Sequence, residues 1–334
     1  MKKIYLYLLL AVVSCALKAQ TLQHRLDSLL FNDPMMKTSE VGISVFDLTT
    51  GEQLFQYQDE KLYRPASTEK VVTSVSALAT LGTDYTMNTR LQYTGKIEND
   101  TLKGNLYLVG GFDPEFMDED LDSLVNVIAQ SGIRYISDTL AADVSMTDSI
   151  YWGTGWSWDD VPASFQPYMS PLMLNRGCVD VTVIPTQKDS LPQVICVPAS
   201  DYYQVDNDGV SNNSQAGRLQ ITRNWLHHGN LIHISGNVTK ETTRTLSIYN
   251  SKEFFFQTFA NRLKAKGIGF NQAAFADCPE NDSLAVVTPL FTLERPIGEV
   301  LTQMMKESDN LCAESMFYHM AMNHAKHKRV SDND

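Results

Sequence analysis

Ser67 and Lys70 stand three residues apart in Pro65-Ala66-Ser67-Thr68-Glu69-Lys70, a spacing that puts two side chains on one helix face within reach of each other. A serine hydroxyl becomes a useful nucleophile when a base takes its proton. A lysine amine can be that base where an apolar setting favours its neutral form. The N-terminus of a helix adds partial positive charge and free N–H groups that can stabilise an oxyanion. A second pattern is Lys306-Glu307-Ser308-Asp309-Asn310. Here Ser308 offers a hydroxyl for proton relay, and Asn310 an amide to hold a substrate carbonyl. Each pattern also has an ordinary structural reading, since serine, aspartate and asparagine all cap helices and Ser-x-x-Lys recurs by chance.

Other groups point less clearly to chemistry. Asp113, Glu115, Asp118, Glu119, Asp120 and Asp122 form an acidic run without the spacing of a calcium loop, so a solvated helix start is expected. His227, His228 and His233 have no carboxylate or cysteine at ligand spacing, and His319, His324 and His327 lack an i, i+4 pair. These spacings predict no metal site. Trp152, Trp156 and Trp158 could stack on a glycan, but core packing is the favoured role. Cys178, Cys196, Cys278 and Cys312 include no C-x-x-C. Export would permit pairing of Cys178 with Cys196 across a hairpin, and free buried thiols are the equal alternative.

The elements that must position these residues are legible from periodicity. Leu22, Leu26, Leu29 and Leu30 form a helical stripe, while Val41–Asp47 and Glu52–Tyr57 read as a hairpin about Gly51. Ser67–Leu81, ending at Gly82, reads as a helix apolar over much of its circumference, which predicts burial at a domain centre. From about Asn88 the pattern changes to short strands, among them Thr89–Tyr93, Leu106–Val109, Val179–Ile184, Leu231–Ile234 and Thr245–Tyr249. Helices interrupt at Leu121–Gln130 and Ser251–Lys266. Ile297, Val300, Leu301 and Met304 mark another helix after Pro296, and a last one runs from Asn310 to about Asn323. This order suggests one helical domain interrupted by a large insertion.

The chain has 334 residues, 43% of them hydrophobic, and a net charge of −12. That balance opposes nucleic-acid binding and an anionic membrane surface. Met1-Lys2-Lys3, the apolar run Ile4–Val13 and the small residues up to Ala19 describe a secretory signal peptide over 1–19. Cleavage after Ala19 is expected. Val12-Val13-Ser14-Cys15 also resembles a lipoprotein box, in which Cys15 would be lipidated. Either way an exported, periplasmic protein is expected.

With both motifs in view, the sequence resembles the penicillin-binding protein 4-type D-alanyl-D-alanine carboxypeptidases, which also act as endopeptidases on peptidoglycan cross-links. The matching residues include Val45–Gly51, Pro65–Lys70, Gly104–Pro114, Trp156–Asp160 with Tyr168 and Leu174-Asn175, and Met305–Glu314. The resemblance implies an α+β fold: a penicillin-recognising serine transpeptidase-like domain, with helices on an antiparallel sheet, interrupted by a large strand-rich insertion. Residues 20–88 and 289–334 would be the two catalytic segments and 89–288 the insertion. By the same resemblance Ser67 is the acyl-enzyme nucleophile, Lys70 its base, Ser308 a proton relay and Asn310 a substrate-amide holder. Substrates would be peptidoglycan stem peptides ending in D-Ala-D-Ala, or D-Ala-containing cross-links, β-lactams would acylate Ser67, and no metal or organic cofactor is implied.

The family's third motif, Lys-Thr-Gly or its His-Thr-Gly variant after Ser-x-Asn, does not occur in the sequence, nor does its Asp-Gly-Ser-Gly segment. Loss of one oxyanion donor costs about 100- to 1000-fold in rate, and missing strands would leave an unpaired edge and one face of the nucleophile helix open. The expectation is a truncated catalytic domain, inactive or poorly folded by itself, with the longer gene product as the enzyme. Acylation of the 334-residue chain at Ser67 by a fluorescent penicillin would contradict it. The alternatives are a serine β-lactamase and a non-catalytic envelope homologue.

Overall fold

The structure, a computed structural model, describes residues 21–280, 282, 284–325 and 327–331. The expected signal peptide and Cys15 lie outside them. The chain divides into two compact units between Ala66 and Ser67.

In the first unit, helices α1 (Leu22–Asn32) and α2 (Pro34–Thr38) precede the antiparallel hairpin β1 (Ile43–Phe46) and β2 (Gln53–Tyr57). Asp33 caps α2 by accepting from the N–H groups of Met35 and Met36. The hairpin turn is closed by Asp47, whose carboxylate accepts from the backbone of Thr49 and Thr50, with Gly51 at φ 73°.

The second unit opens with α3 (Glu69–Leu81), which ends at Gly82, at φ 86°. The chain then runs through β3 (Thr86–Thr94), β4 (Lys96–Glu98), β5 (Thr101–Lys103), β6 (Leu106–Val109), α4 (Asp118–Gln130) and β7 (Tyr135–Asp143). Next come β8 (Cys178–Ile184), β9 (Gln193–Val197), β10 (Gln204–Ser211), β11 (Gln220–Arg223), β12 (Leu231–Val238) and β13 (Thr242–Ser247). Helix α5 (Ser251–Ala265), β14 (Gly269–Phe275), β15 (Val287–Pro296), α6 (Ile297–Lys306) and α7 (Asn310–Ala325) complete it.

A seven-stranded sheet runs in the order β15-β3-β6-β7-β5-β4, with β14 also on β7. Strand β6 is buried along its whole length between β3 and β7, as expected of a short continuous apolar run. Strand β3 is antiparallel to β6 and β15, whereas β6, β5 and β14 are all parallel to β7. Two three-stranded sheets, β13-β8-β9 and β10-β12-β11, join the same core. Phe254, Phe255 and Phe259 of α5 and Leu121, Leu124 and Ile128 of α4 fill that core. A second core gathers Ala77 of α3, Ile297, Val300, Leu301 and Met304 of α6, and Cys312 and Met316 of α7.

Helix α3 is buried on one side only: Lys70 and Ala77 are buried, while Val71, Val72, Val75 and Leu78 stay exposed, which departs from burial at a domain centre and agrees with an open face on the nucleophile helix. Its packing on α6 and α7 uses one side, and an apolar circumference specifies a helix without specifying what covers it. The acidic run is also more than a solvated helix start. Asp118 and Asp122 pair with Arg262, and Asp113 and Asp120 with Arg295. Of the two alternatives for Cys178 and Cys196, the structure holds free thiols, with Cys178 buried and Cys196 partly so. The β8–β9 register sets Cys196 opposite Val181, so the two thiols do not face each other.

Candidate active site

Lys70 is the hub of the site. It lies in the first turn of α3 with only 8% of its surface exposed. Its Nζ donates to Ser67 Oγ at 3.3 Å and to Asn310 Oδ1 at 2.7 Å. Asn310 is the first residue of α7, and its Nδ2 donates to the Phe165 carbonyl at 3.0 Å. The serine–lysine pair comes from helical spacing, but the asparagine arrives only because α3 and α7 pack together.

Both serine motifs sit beside a left-handed residue. Ala66, before the nucleophile candidate, has φ 47°, and Ser308 itself has φ 57°. A non-glycine residue in this region costs of order 1–3 kcal/mol and clusters at functional sites. The turn at Ser308 leads from α6 into α7, and Asp309 caps the new helix by accepting from Cys312 N at 3.0 Å. Ser308 is exposed and lines a cleft of about 350 Å³ with Asn310, Ser164, Phe165, Arg176 and Thr245 among others. Among the described residues no hydrogen bond joins Ser308 to Ser67 or Lys70. Three of the four expected residues are thus directly linked, and the fourth is their neighbour through Asn310.

Arg176 is the residue that sequence reasoning missed. Its guanidinium grips Glu115 through Nε at 3.0 Å and Nη2 at 2.7 Å, and lies 3.5 Å from Asp309 Oδ2. The side chain thereby ties the Ser308–Asn310 turn to the Gly110–Phe116 turn that leaves β6. No local signal marks Arg176, because its partners come from distant segments.

The same turn fixes the body of α7. The Phe112 carbonyl accepts from Ser315 Oγ at 2.7 Å and faces His319 Nε2 at 3.4 Å, while the Tyr85 hydroxyl meets His319 Nδ1 at 2.8 Å. Burial pushes the His319 imidazole down to about 4 from its ordinary 6.5. Burial also raises Asp113 to about 6, against the opposing pull of Arg295. Cysteines are poor candidates for the chemistry. Burial pushes the thiols of Cys178 and Cys278 up to about 12, and Cys312 is raised as well, so none supplies a thiolate near neutral pH.

Glu115, Asp309 and Cys312 bring ligand-type atoms together, but Arg176 already occupies both carboxylates. The parallel pairing of β10 with β12 also sets Asp206 opposite His233, 3.2 Å apart, with Asp208 nearby. Sequence spacing does not reveal that exposed cluster. Trp152 packs edge-on against Trp156 and tilts against Tyr168. Trp158 departs from the expected core role, being 68% exposed.

Residues 22–334 match the D-Ala-D-Ala carboxypeptidase 3 (S13) family. The chain belongs to that family. Within it, the chain is 26% identical over 293 residues to the D-alanyl-D-alanine carboxypeptidase DacB of Haemophilus influenzae, a match spanning 86% of this chain and 60% of that protein. It is 26% identical over 306 residues to a D-alanyl-D-alanine carboxypeptidase of an Actinomadura species, spanning 88% of this chain and 56% of the relative. The chain therefore spans well under two thirds of these relatives' own length. The crystal structure of penicillin binding protein 4 from Haemophilus influenzae matches the fold with a TM-score of 0.72 at 23% identity, covering 86% of this chain and 64% of that one. The same protein complexed with a β-lactam matches with a TM-score of 0.67 at 22% identity, covering 92% and 66%. The S13 fold is thus an α+β arrangement of sheets and helices, as the sequence motifs imply.

Proposed function

We propose that this S13 family chain carries the acylating centre of a serine D-alanyl-D-alanine carboxypeptidase and D,D-endopeptidase acting on peptidoglycan. The observation that carries this reading is the Ser67–Lys70–Asn310 contact chain, which joins residues 240 apart in sequence. Ser67 Oγ attacks the carbonyl between the two D-alanines while its proton passes to Lys70 Nζ, the base in contact with it. The C–N bond then breaks and the departing nitrogen takes up a proton, with Ser308 as relay. Water hydrolyses the resulting ester and regenerates Ser67. Asn310 has one amide hydrogen committed to Phe165 and a second left for a substrate carbonyl. Ser67 lies just before the start of α3, where helix N–H groups and partial positive charge can help stabilise an oxyanion.

β-Lactams would acylate the same hydroxyl, in keeping with the relative solved with one bound. The exit strand β15 lies directly on the entry strand β3, with Pro296 opposite Thr86. That pairing supports a catalytic domain interrupted by an insertion at about 89–288, since the chain leaves and returns at one place. The N-terminal residues support export to the periplasm. Among the described residues no helix is long and apolar enough to cross a membrane.

The test is release of D-alanine from a diacetylated Lys-D-Ala-D-Ala peptide by the protein expressed from its own gene. Hydrolysis is expected, and Ser67→Ala should abolish it. Turnover of penicillin to penicilloate with no action on the peptide would favour a β-lactamase. Absence of both reactions would favour a non-catalytic homologue.

A further inference from the structure

Tyr151, Trp152, Trp158, Tyr168, Trp225 and His228 line an open groove of about 550 Å³. The Trp158 and Trp225 rings lie 5.5 Å apart and only 35° from parallel, so they present a broad aromatic surface. Trp152 and Tyr168 continue it with centroids 5.5 Å apart. Leaving an indole as open as Trp158 in water forgoes a large hydrophobic gain, and such patches on soluble proteins mark binding surfaces.

The lining identifies the occupant by charge. Among the described residues lining the groove there is no Lys, Arg, Asp or Glu, the Arg223 guanidinium against Tyr168 being buried, although the chain as a whole carries −12. An anionic polymer or membrane surface would find no exposed Lys or Arg there and a repelling field around it. A neutral ring with one apolar C–H face and hydroxyls at its rim fits better. Its face can stack on the indoles, while Ser149, the Tyr151 hydroxyl and His228 line the groove as polar partners.

One loop of the chain also links the groove to the candidate active site. Trp158 begins the short helical turn Trp158–Asp160. The following loop returns through Phe165, whose carbonyl accepts from Asn310, and Gln166 Nε2 donates to the Ser157 carbonyl at 2.6 Å. One loop therefore carries both the aromatic platform and a contact to the motif proposed to handle the peptide.

We infer that this groove binds the N-acetylated hexosamine rings of a glycan strand, the sugar backbone to which the stem peptides are attached. The choice of polymer rests on the proposed D,D-peptidase reading. The experiment is calorimetric titration of the purified protein with glycan strands from which all peptides have been removed. Saturable binding is expected, weakened at least tenfold by Trp158→Ala and by Trp225→Ala and largely kept by Trp158→Phe. Near-UV circular dichroism checks that the variants are folded. The inference is overturned if the wild type ignores peptide-free strands, or if both alanine variants bind like it. It is also overturned if sedimentation shows a dimer that Trp158→Ala dissociates, since the groove would then seat a second copy. Penicillin labelling of Ser67 is a separate readout: its loss with glycan binding intact counts against the peptidase reading alone.

Discussion

At the scale of single residues, the site depends on a few hydrogen bonds that a volume-conserving change can remove. Arg176 is the most informative. Its planar fork satisfies both oxygens of Glu115 and still reaches Asp309, a geometry that lysine cannot reproduce. Removing it leaves two mostly buried carboxylates facing each other across the turn that sets Asn310. Arg176→Ala is therefore expected to lower stability by about 1–3 kcal/mol and to slow acylation by a penicillin by about tenfold or more, with Arg176→Lys intermediate. Denaturant unfolding and a labelling time course measure the two effects. An unchanged labelling rate in a destabilised variant would reduce Arg176 to a purely structural residue.

At the scale of elements, α7 carries Asn310 at its start and His319 three turns later, and the Phe112 carbonyl holds it midway. The fold keeps His319 neutral, because burial depresses its pKa to about 4. This stabilisation is complete above the unfolded value of 6.5 and is lost as pH falls toward 4. The interval corresponds to about 3 kcal/mol. His319→Gln is expected to be less stable at neutral pH and to lose stability less steeply between these limits, as measured by urea unfolding at several pH values. Asp113 titrates in the same range but is common to both proteins, so it cancels in the comparison. Equal slopes would contradict the assignment. Helices α3, α6 and α7 were legible beforehand from apolar spacing, Pro296 and Gly82. The partner strands of β7 were not, because parallel pairing over long separations leaves no local period. That the open face of α3 carries Val71, Val72 and Val75 was hidden for a related reason: periodicity records which face is apolar, and packing decides whether anything meets it.

At the scale of the whole molecule, two serine-bearing motifs meet across 240 residues that include a strand-rich segment. The segment leaves and returns along paired strands β3 and β15, so it can be long without displacing α3 from α7. The motif residues themselves were legible from type and spacing; the turn containing Phe112 and the ion pairs of Arg176 and Arg295 that hold them needed the fold. The proposed role of Ser67 is that of a nucleophile activated within this arrangement. It is tested most directly by mass spectrometry of the protein, expressed from its own gene, after brief exposure to benzylpenicillin. A single penicilloyl adduct on the peptide containing Ser67, absent from Ser67→Ala and strongly reduced in Lys70→Ala, is the predicted result. An adduct on another residue, or one that survives Ser67→Ala, would contradict it.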